Sequence, residues 1–251
     1  MSFHFAPATI TDVEEVRAIM SLERPISIAI ETTCRQGGVA LGAGEALVEV
    51  LPFDAARRAA TQLVARLEEL TRRHGLDPRA ADEIYVSAGP GSFTGTRVGV
   101  TAARTWVQAA RAARCVAVPT VLAVAENVRR LAEVRRLAVV LDARNGRVYA
   151  AVFDRVGDQW VQTGESVLTT PTELLATAPR PLHVVGEGLG YHDLACRDVI
   201  ALPREYWLPN AEGVWRVGRR LAKAGACTQP AKLLPIYTGK PEAIRIWDAR
   251  K

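Results

Sequence analysis

A glycine-rich run between an apolar strand and an apolar helix constrains this chain more than any other feature. It reads Ala88-Gly-Pro-Gly-Ser-Phe-Thr-Gly-Thr-Arg-Val-Gly-Val100. The strand before it is Ile84-Tyr-Val-Ser87, and the Ala- and Val-rich stretch from Val98 to Ala113 reads as a helix. Gly89, Pro90, Gly91 and Gly95 therefore sit in a strand-to-helix turn. Glycine there permits positive φ and close approach of another backbone or a ligand. Exposed N–H groups at the helix start could form an anion-binding concavity, and a tight turn packed on a neighbouring loop is the other reading.

The chain has 251 residues, 49% of them hydrophobic, enough to bury a sizeable core as one large domain or two lobes. No apolar run approaches the roughly 18 residues of a membrane span, and the N-terminus has no signal-peptide core. Cys34, Cys115, Cys196 and Cys227 are scattered and form no Cys-x-x-Cys pair, which points to a reduced, cytoplasmic protein. The net charge of +5 is compatible with an RNA-containing assembly. Its arginines come in short pairs, such as Arg57-Arg58 and Arg219-Arg220, on segments where solvated faces are the default. No interleaved aromatic and basic stacking platform is visible.

Strands and helices alternate from Ile26 onward. Ile26–Ile30, Gly37–Leu41 and Ala46–Leu51 read as strands, with a turn at Gly42–Gly44. A helix follows over Ala55–His74, with Leu63, Leu67 and Leu70 on its buried face and Gly75 as its stop. Cys115–Pro119 is a strand and Val121–Arg130 a helix. Leu137–Leu141 pairs with Val148–Phe153 across Asn145-Gly146, a type I′ hairpin signal. Trp160–Gly164 and Leu182–Val185 read as strands, Pro171–Ala178 and Ala211–Ala224 as helices, and Leu233–Trp247 as an extended arm. Two strand-rich halves with crossing helices describe an α/β protein. Residues 1–25 stand apart, with a capping box at Thr11 and Glu14 and an apolar face of Val13, Val16, Ile19 and Met20. They resemble the opening of a GNAT-type acetyltransferase but are too short to hold an acetyl-CoA site.

Four motifs carry a resemblance to one family. Gly89-Pro-Gly-Ser-Phe-Thr-Gly95 with Arg97 and Gly99 resembles the signature of the TsaB (YeaZ) family of bacterial tRNA threonylcarbamoyladenosine biosynthesis. Ile28-Ala-Ile-Glu-Thr-Thr33 is similar to its first hairpin, Leu141-Asp-Ala-Arg-Asn-Gly-Arg-Val-Tyr-Ala150 to its second, and Pro235-Ile-Tyr237 with Lys240-Pro-Glu242 to its tail. The resemblance spans residues 26–251. It implies a two-lobed fold of the actin, sugar-kinase and chaperone-ATPase type, built on ribonuclease-H-like lobes. The boundaries expected are 26–115 plus 209–225 for the N-terminal lobe, 116–208 for the C-terminal lobe and 226–251 for an arm.

That superfamily holds nucleotide phosphates at the first hairpin. Here Glu31 replaces the usual Asp, and Thr32 and Thr33 supply hydroxyls, so a weak phosphate site from Glu31, Thr32 and Thr33 stands beside a purely structural hairpin. The catalytic paralogue TsaD uses a metal-binding His-x-x-x-His on its first helix; the corresponding stretch here, Arg57–Gln62, has no histidine. His4, His74, His183 and His192 have no ligand spacing, and no metal or other cofactor is expected. Ser92 lies outside a Gly-x-Ser-x-Gly elbow, so no catalytic residue is assigned. Asp142 and Arg144 read either as a functional pair or as a salt bridge across the hairpin mouth.

The helix over Thr96–Ala113 is rich in small residues and apolar nearly all round, so it wants cover on more than one side. The resemblance implies that it lies beside the Ala55–His74 helix and that the two bind TsaD, or a second copy of the chain when TsaD is absent. The interface candidates are Leu63, Leu67, Val100, Ala103, Trp106, Val107 and Ala110. The implied function is a non-catalytic partner subunit in threonylcarbamoyl transfer to tRNA, with TsaE in the larger complex and tRNA contacted indirectly. The alternative is a nucleotide-binding, kinase-like ATPase.

Overall fold

A computed structural model describes residues 25–110 and 113–237 of the chain. The capping box and apolar face at residues 11–20 and the distal part of the arm lie outside them.

Two sheets organise the molecule. The first contains β1 (Ile26–Glu31), β2 (Gly38–Ala43), β3 (Ala46–Pro52), β4 (Glu83–Gly89) and β5 (Arg114–Pro119), in the order β3-β2-β1-β4-β5. Strands β1, β2 and β3 form an antiparallel meander, and β4 and β5 run parallel to β1. The second contains β6 (Arg136–Asp142), β7 (Val148–Val156), β8 (Gln159–Gln162), β10 (Leu182–Val185) and β11 (Val199–Ala201), with β9 (Val167–Thr169) paired to β7. Its order, β8-β7-β6-β10-β11, repeats the first: an antiparallel meander followed by two strands parallel to its first strand. Both central strands are buried on both faces, which is why they read as continuous apolar runs.

Among the described residues five α-helices accompany the sheets: α1 (Ala59–Arg73), α2 (Phe93–Ala109), α3 (Thr120–Glu126), α4 (Pro171–Thr177) and α5 (Ala211–Lys223). Helices α1 and α2 cover one face of the first sheet in a core with Ile28, Leu41, Leu63, Leu70 and Val100. Helix α5 covers the other face. Trp215 lies over Gly42, where a Cβ would sit 2.0 Å from its indole nitrogen, and Gly218 lies over Tyr85, leaving 2.4 Å for a Cβ. The reciprocal large-on-small pairing lets the helix sit flat on the strands, and the Trp215 indole N–H is satisfied by Ser27 Oγ at 2.9 Å.

Several boundaries differ from the sequence expectation for local reasons. Helix α1 begins at Ala59 rather than Ala55, because the buried Gln62 amide takes over the preceding backbone. Its oxygen accepts Asp54 N–H at 2.8 Å and its nitrogen donates to Asp54 O at 3.0 Å. Helix α2 begins at Phe93, because the Ser92 hydroxyl caps it by accepting Gly95 N–H, and it ends at Ala109 rather than Ala113. Helix α3 stops at Glu126. The Asn127 amide beyond it donates to Tyr206 O and Leu208 O at 2.9 and 2.7 Å. Strands β9 and β11 are three residues each, too short for alternation to betray. The hairpin at Asn145-Gly146 has the expected positive φ at both residues, 53° and 71°, and Arg147 N–H donates to Arg144 O at 3.0 Å.

Candidate functional site

The glycine turn closes over the end of β1. Thr33 O accepts Ser92 N–H at 2.8 Å, and Thr32 Oγ1 donates to Gly95 O at 2.7 Å. A Cβ on Gly95 would stand 2.0 Å from Thr32 O, so at this position glycine serves close approach. Gly91 and Gly99 face the same two threonines. Positive φ is confined within the turn to Gly89, at 106°, where the carboxyl-terminal arm also arrives: Ile236 N–H donates to Ala88 O at 2.6 Å. Pro90 is buried, whereas Ser92, Phe93, Thr94 and Arg97 are exposed.

Beneath this turn Glu31 is fully buried. Its Oε1 accepts both the backbone N–H and the hydroxyl of Thr33, the latter at 2.6 Å. Oε2 has no hydrogen-bond partner among the described residues. Burial raises the carboxyl above its ordinary range, and the Thr33 hydrogen bonds only partly oppose this. Burial, with Glu31 and Glu187 nearby, pushes the Cys34 thiol up as well. Glu31, Thr32 and Thr33 thus bond one another and the glycine turn. All three are buried, so the phosphate site expected from them has no open face in this arrangement.

At the corresponding end of β6, Asp142 accepts Arg144 N–H at 3.2 Å and contacts His192 Nε2 at 2.9 Å. Of the two readings of Asp142 and Arg144, a functional pair or a salt bridge across the hairpin mouth, the arrangement shows a backbone contact to Arg144 and places the Asp142 side-chain contact on His192 instead. Asp142 and burial together raise the nearby Glu187 carboxyl. His74 caps the end of α1 and contacts Glu49 Oε2 at 2.7 Å. Among the described residues no group of three His, Cys, Asp or Glu side chains could hold a metal ion, and no helix is long and apolar enough to cross a membrane. A cavity of about 350 Å³ is lined by Pro25, Glu45, Glu83, Arg114, Arg219 and Lys223. Arg114 pairs with Glu83, while Arg219 and Lys223 share Glu45, so its lining carries one more cation than carboxylates.

The helix pair α1/α2 does lie side by side. Of the candidate interface residues, however, Leu63, Leu67, Val100, Ala103, Val107 and Ala110 are buried within the chain itself, and Trp106 is half-buried against the same core. The resemblance implies the helix pair but not which face is outward, and these side chains lie on the face that the sheet covers. The outward surface instead carries Val64, 74% exposed, with Ala65 on α1 and Thr101, Thr105 and Ala109 on α2.

Sequence reasoning also missed a stack on the exposed start of α2. The Arg97 guanidinium lies 3.8 Å from the Phe93 ring centroid, and its Nε donates to Tyr237 Oη at 2.8 Å. The Phe93 and Tyr237 rings are 5.5 Å apart. Phe93 and Arg97 are one helical turn apart, which is visible in sequence; Tyr237 comes from 140 residues away, which is not.

Two copies of the same meander-plus-parallel order, with a hairpin and a glycine turn at the strand ends, define a duplicated α/β fold of the actin and sugar-kinase class. Residues 48–212 match the family model described as TsaD: tRNA N6-adenosine threonylcarbamoyltransferase. The tRNA threonylcarbamoyladenosine biosynthesis protein TsaB of Bacillus subtilis (strain 168) is 25% identical over 176 residues, 69% of this chain and 76% of that protein. YeaZ from Pseudomonas aeruginosa superposes with a TM-score of 0.74 at 22% identity, over 85% of this chain and all (100%) of that one. An uncharacterized protein with similarity to peptidase YeaZ, from Pseudomonas aeruginosa, gives 0.75 at 22% identity over 86% of this chain and 100% of that one. The chain belongs to this family, on its TsaB (YeaZ) branch of tRNA threonylcarbamoyladenosine biosynthesis.

Proposed function

We propose that the chain is a non-catalytic partner subunit, working in the cytoplasm with a TsaD-type transferase that moves a threonylcarbamoyl group from its adenylate to the adenosine beside the anticodon. The tRNAs concerned read codons beginning with A. The observation that carries this reading is the outward surface of α1 and α2, where Val64 is 74% exposed on a helix whose leucines, Leu63, Leu67 and Leu70, are buried. Val64 and Ala65 on α1 and Thr101, Thr105 and Ala109 on α2 are exposed and small or apolar, which suits close packing against a second helix pair. The sealed Glu31 hairpin supports the absence of nucleotide chemistry in this subunit. TsaE joins the larger assembly, and the same helix surface pairs two copies of the chain when the transferase is missing.

Co-purification with the cognate transferase tests the reading. Val64→Glu and Ala109→Glu should each leave the circular dichroism and thermal midpoint unchanged while abolishing capture of the transferase. Ala103→Glu should unfold the lobe, because it places a charge in a closed core. Normal capture by both folded outward variants would remove α1/α2 as the interface.

A further inference from the structure

The stack at the start of α2 has no role in the partner reading, and its make-up is specific. Phe93 is 48% exposed and Tyr237 41% exposed among the described residues. Helix α2 fixes Phe93 and Arg97. Tyr237 is placed by the arm, which is anchored on both sides of Pro235: Leu233 is buried in the first core, and Ile236 N–H donates to Ala88 O. The guanidinium plane lies against one ring and bonds the hydroxyl of the other, so the three side chains hold one another in place while half of each ring still faces solvent. Large aromatic surface left in water by a fixed geometry is a cost unless something covers it.

The charge around the stack selects the occupant. Among the described residues the surface draws on 32–37, 89–97 and 233–237, with Glu31 fully buried behind it and Glu187 half-buried near Cys34. These segments carry two arginines, Arg35 and Arg97, and no aspartate or glutamate. Arg35 is exposed two residues beyond Thr33, whose carbonyl accepts Ser92 N–H, so it belongs to the same edge of the lobe. Ser92 and Thr94 add exposed hydroxyls between them. Aromatic faces, a planar guanidinium, hydroxyl donors and an excess of positive charge match an unpaired nucleobase with its flanking phosphates. A base extends the stack through its π-face while arginine attracts the backbone.

The geometry points to Phe93, Arg97 and Tyr237 as a stacking platform for unpaired nucleotides of RNA, so that the subunit contacts the nucleic acid directly. This deepens the proposed function, on which it rests for the presence of RNA, and it replaces the expectation of indirect contact.

The test is fluorescence anisotropy of a short labelled single-stranded oligoadenylate with the purified full-length chain, at low and at physiological ionic strength. The wild type should bind saturably and more weakly at the higher salt. Phe93→Ala and Tyr237→Ala should each weaken binding at least about fivefold. Phe93→Leu, which keeps an apolar side chain at the position, should weaken it as much while leaving the salt dependence unchanged. Arg97→Lys should weaken it too, because an ammonium keeps the charge and loses the plane. Absence of wild-type binding, or full affinity in Phe93→Leu and Tyr237→Ala, overturns the proposal. So does the opposite split, in which those variants keep RNA affinity and lose capture of the transferase, since the surface would then be a protein-docking site. Val64→Glu separates the two readings: it should lose the transferase and bind oligoadenylate as the wild type does. If the wild type binds oligoadenylate but captures no transferase, only the partner reading falls.

Discussion

Each sheet ends its first strand on a carboxylate, Glu31 in one and Asp142 in the other, and each carboxylate accepts the backbone N–H two residues on. The surroundings then diverge. Glu31 is closed in completely by the glycine turn, with one oxygen left unpartnered, whereas Asp142 stays partly open and pairs with His192. The glycine turns after the parallel strands are alike: an added Cβ would stand 2.0 Å from Thr32 O at Gly95 and 2.1 Å from Val140 O at Gly186. The hairpins diverge, because in the first an added Cβ on Gly37 would stand 2.0 Å from Glu31 O. In the second hairpin Gly146 has nothing within 4 Å of an added Cβ and is required for its positive φ alone. One topology thus supports a sealed strand end and an open one, and the difference lies in what packs above the hairpin.

Substituting the glycines is the sharpest way to break this comparison. Gly95→Val should cost about 4 kcal/mol or more or prevent folding, since its Cβ would meet Thr32 O, and urea unfolding measures it. A variant of wild-type stability would show that the turn is not pressed against the first hairpin.

The buried carboxylate comes next. Burial raises the folded-state pKa of Glu31 above its ordinary value of 4.5, so between those two values the native state holds the extra proton. The stability it permits is therefore complete below the unfolded value and declines as pH rises through the raised folded value. Glu31→Gln keeps the acceptor for Thr33 and removes the ionisation. It should be more stable than wild type at neutral pH, with the gain shrinking toward pH of about 4. Asp142→Asn should produce no comparable gain. Equal slopes of stability against pH for wild type and Glu31→Gln would indicate that Glu31 is not sealed.

Gly146→Ala should cost only about 1 kcal/mol, the penalty of a left-handed backbone without a steric clash. Smallest is the effect of Asp142→Asn itself. It keeps the acceptor for Arg144 N–H and alters a single partly exposed contact to His192, so it should stay within about 1 kcal/mol of wild type in the same urea assay.

Much of this was legible along the chain because it depends on neighbours in sequence. Ile26–Ile30 and Leu137–Leu141 are short, largely apolar runs suited to strands covered on both faces, and they lie in the central strands of the two sheets. Asn145-Gly146 specifies its own turn by the φ values those residues tolerate. The glycine run between strand and helix marked the place where backbone must come close. Tertiary structure alone decided what came close to it, the carbonyl of Thr32, sixty-three residues earlier in the chain. It also decided which side of α1 and α2 faces out. Leu63 and Ala103 suit a partner as well as a core, and only the position of the sheet assigns them inward and leaves Val64 in solvent. The Phe93–Arg97–Tyr237 stack is of the same kind. Helical spacing aligns the first two side chains, but the third arrives because Leu233 is buried and Ile236 bonds Ala88, contacts set by packing between segments far apart in sequence.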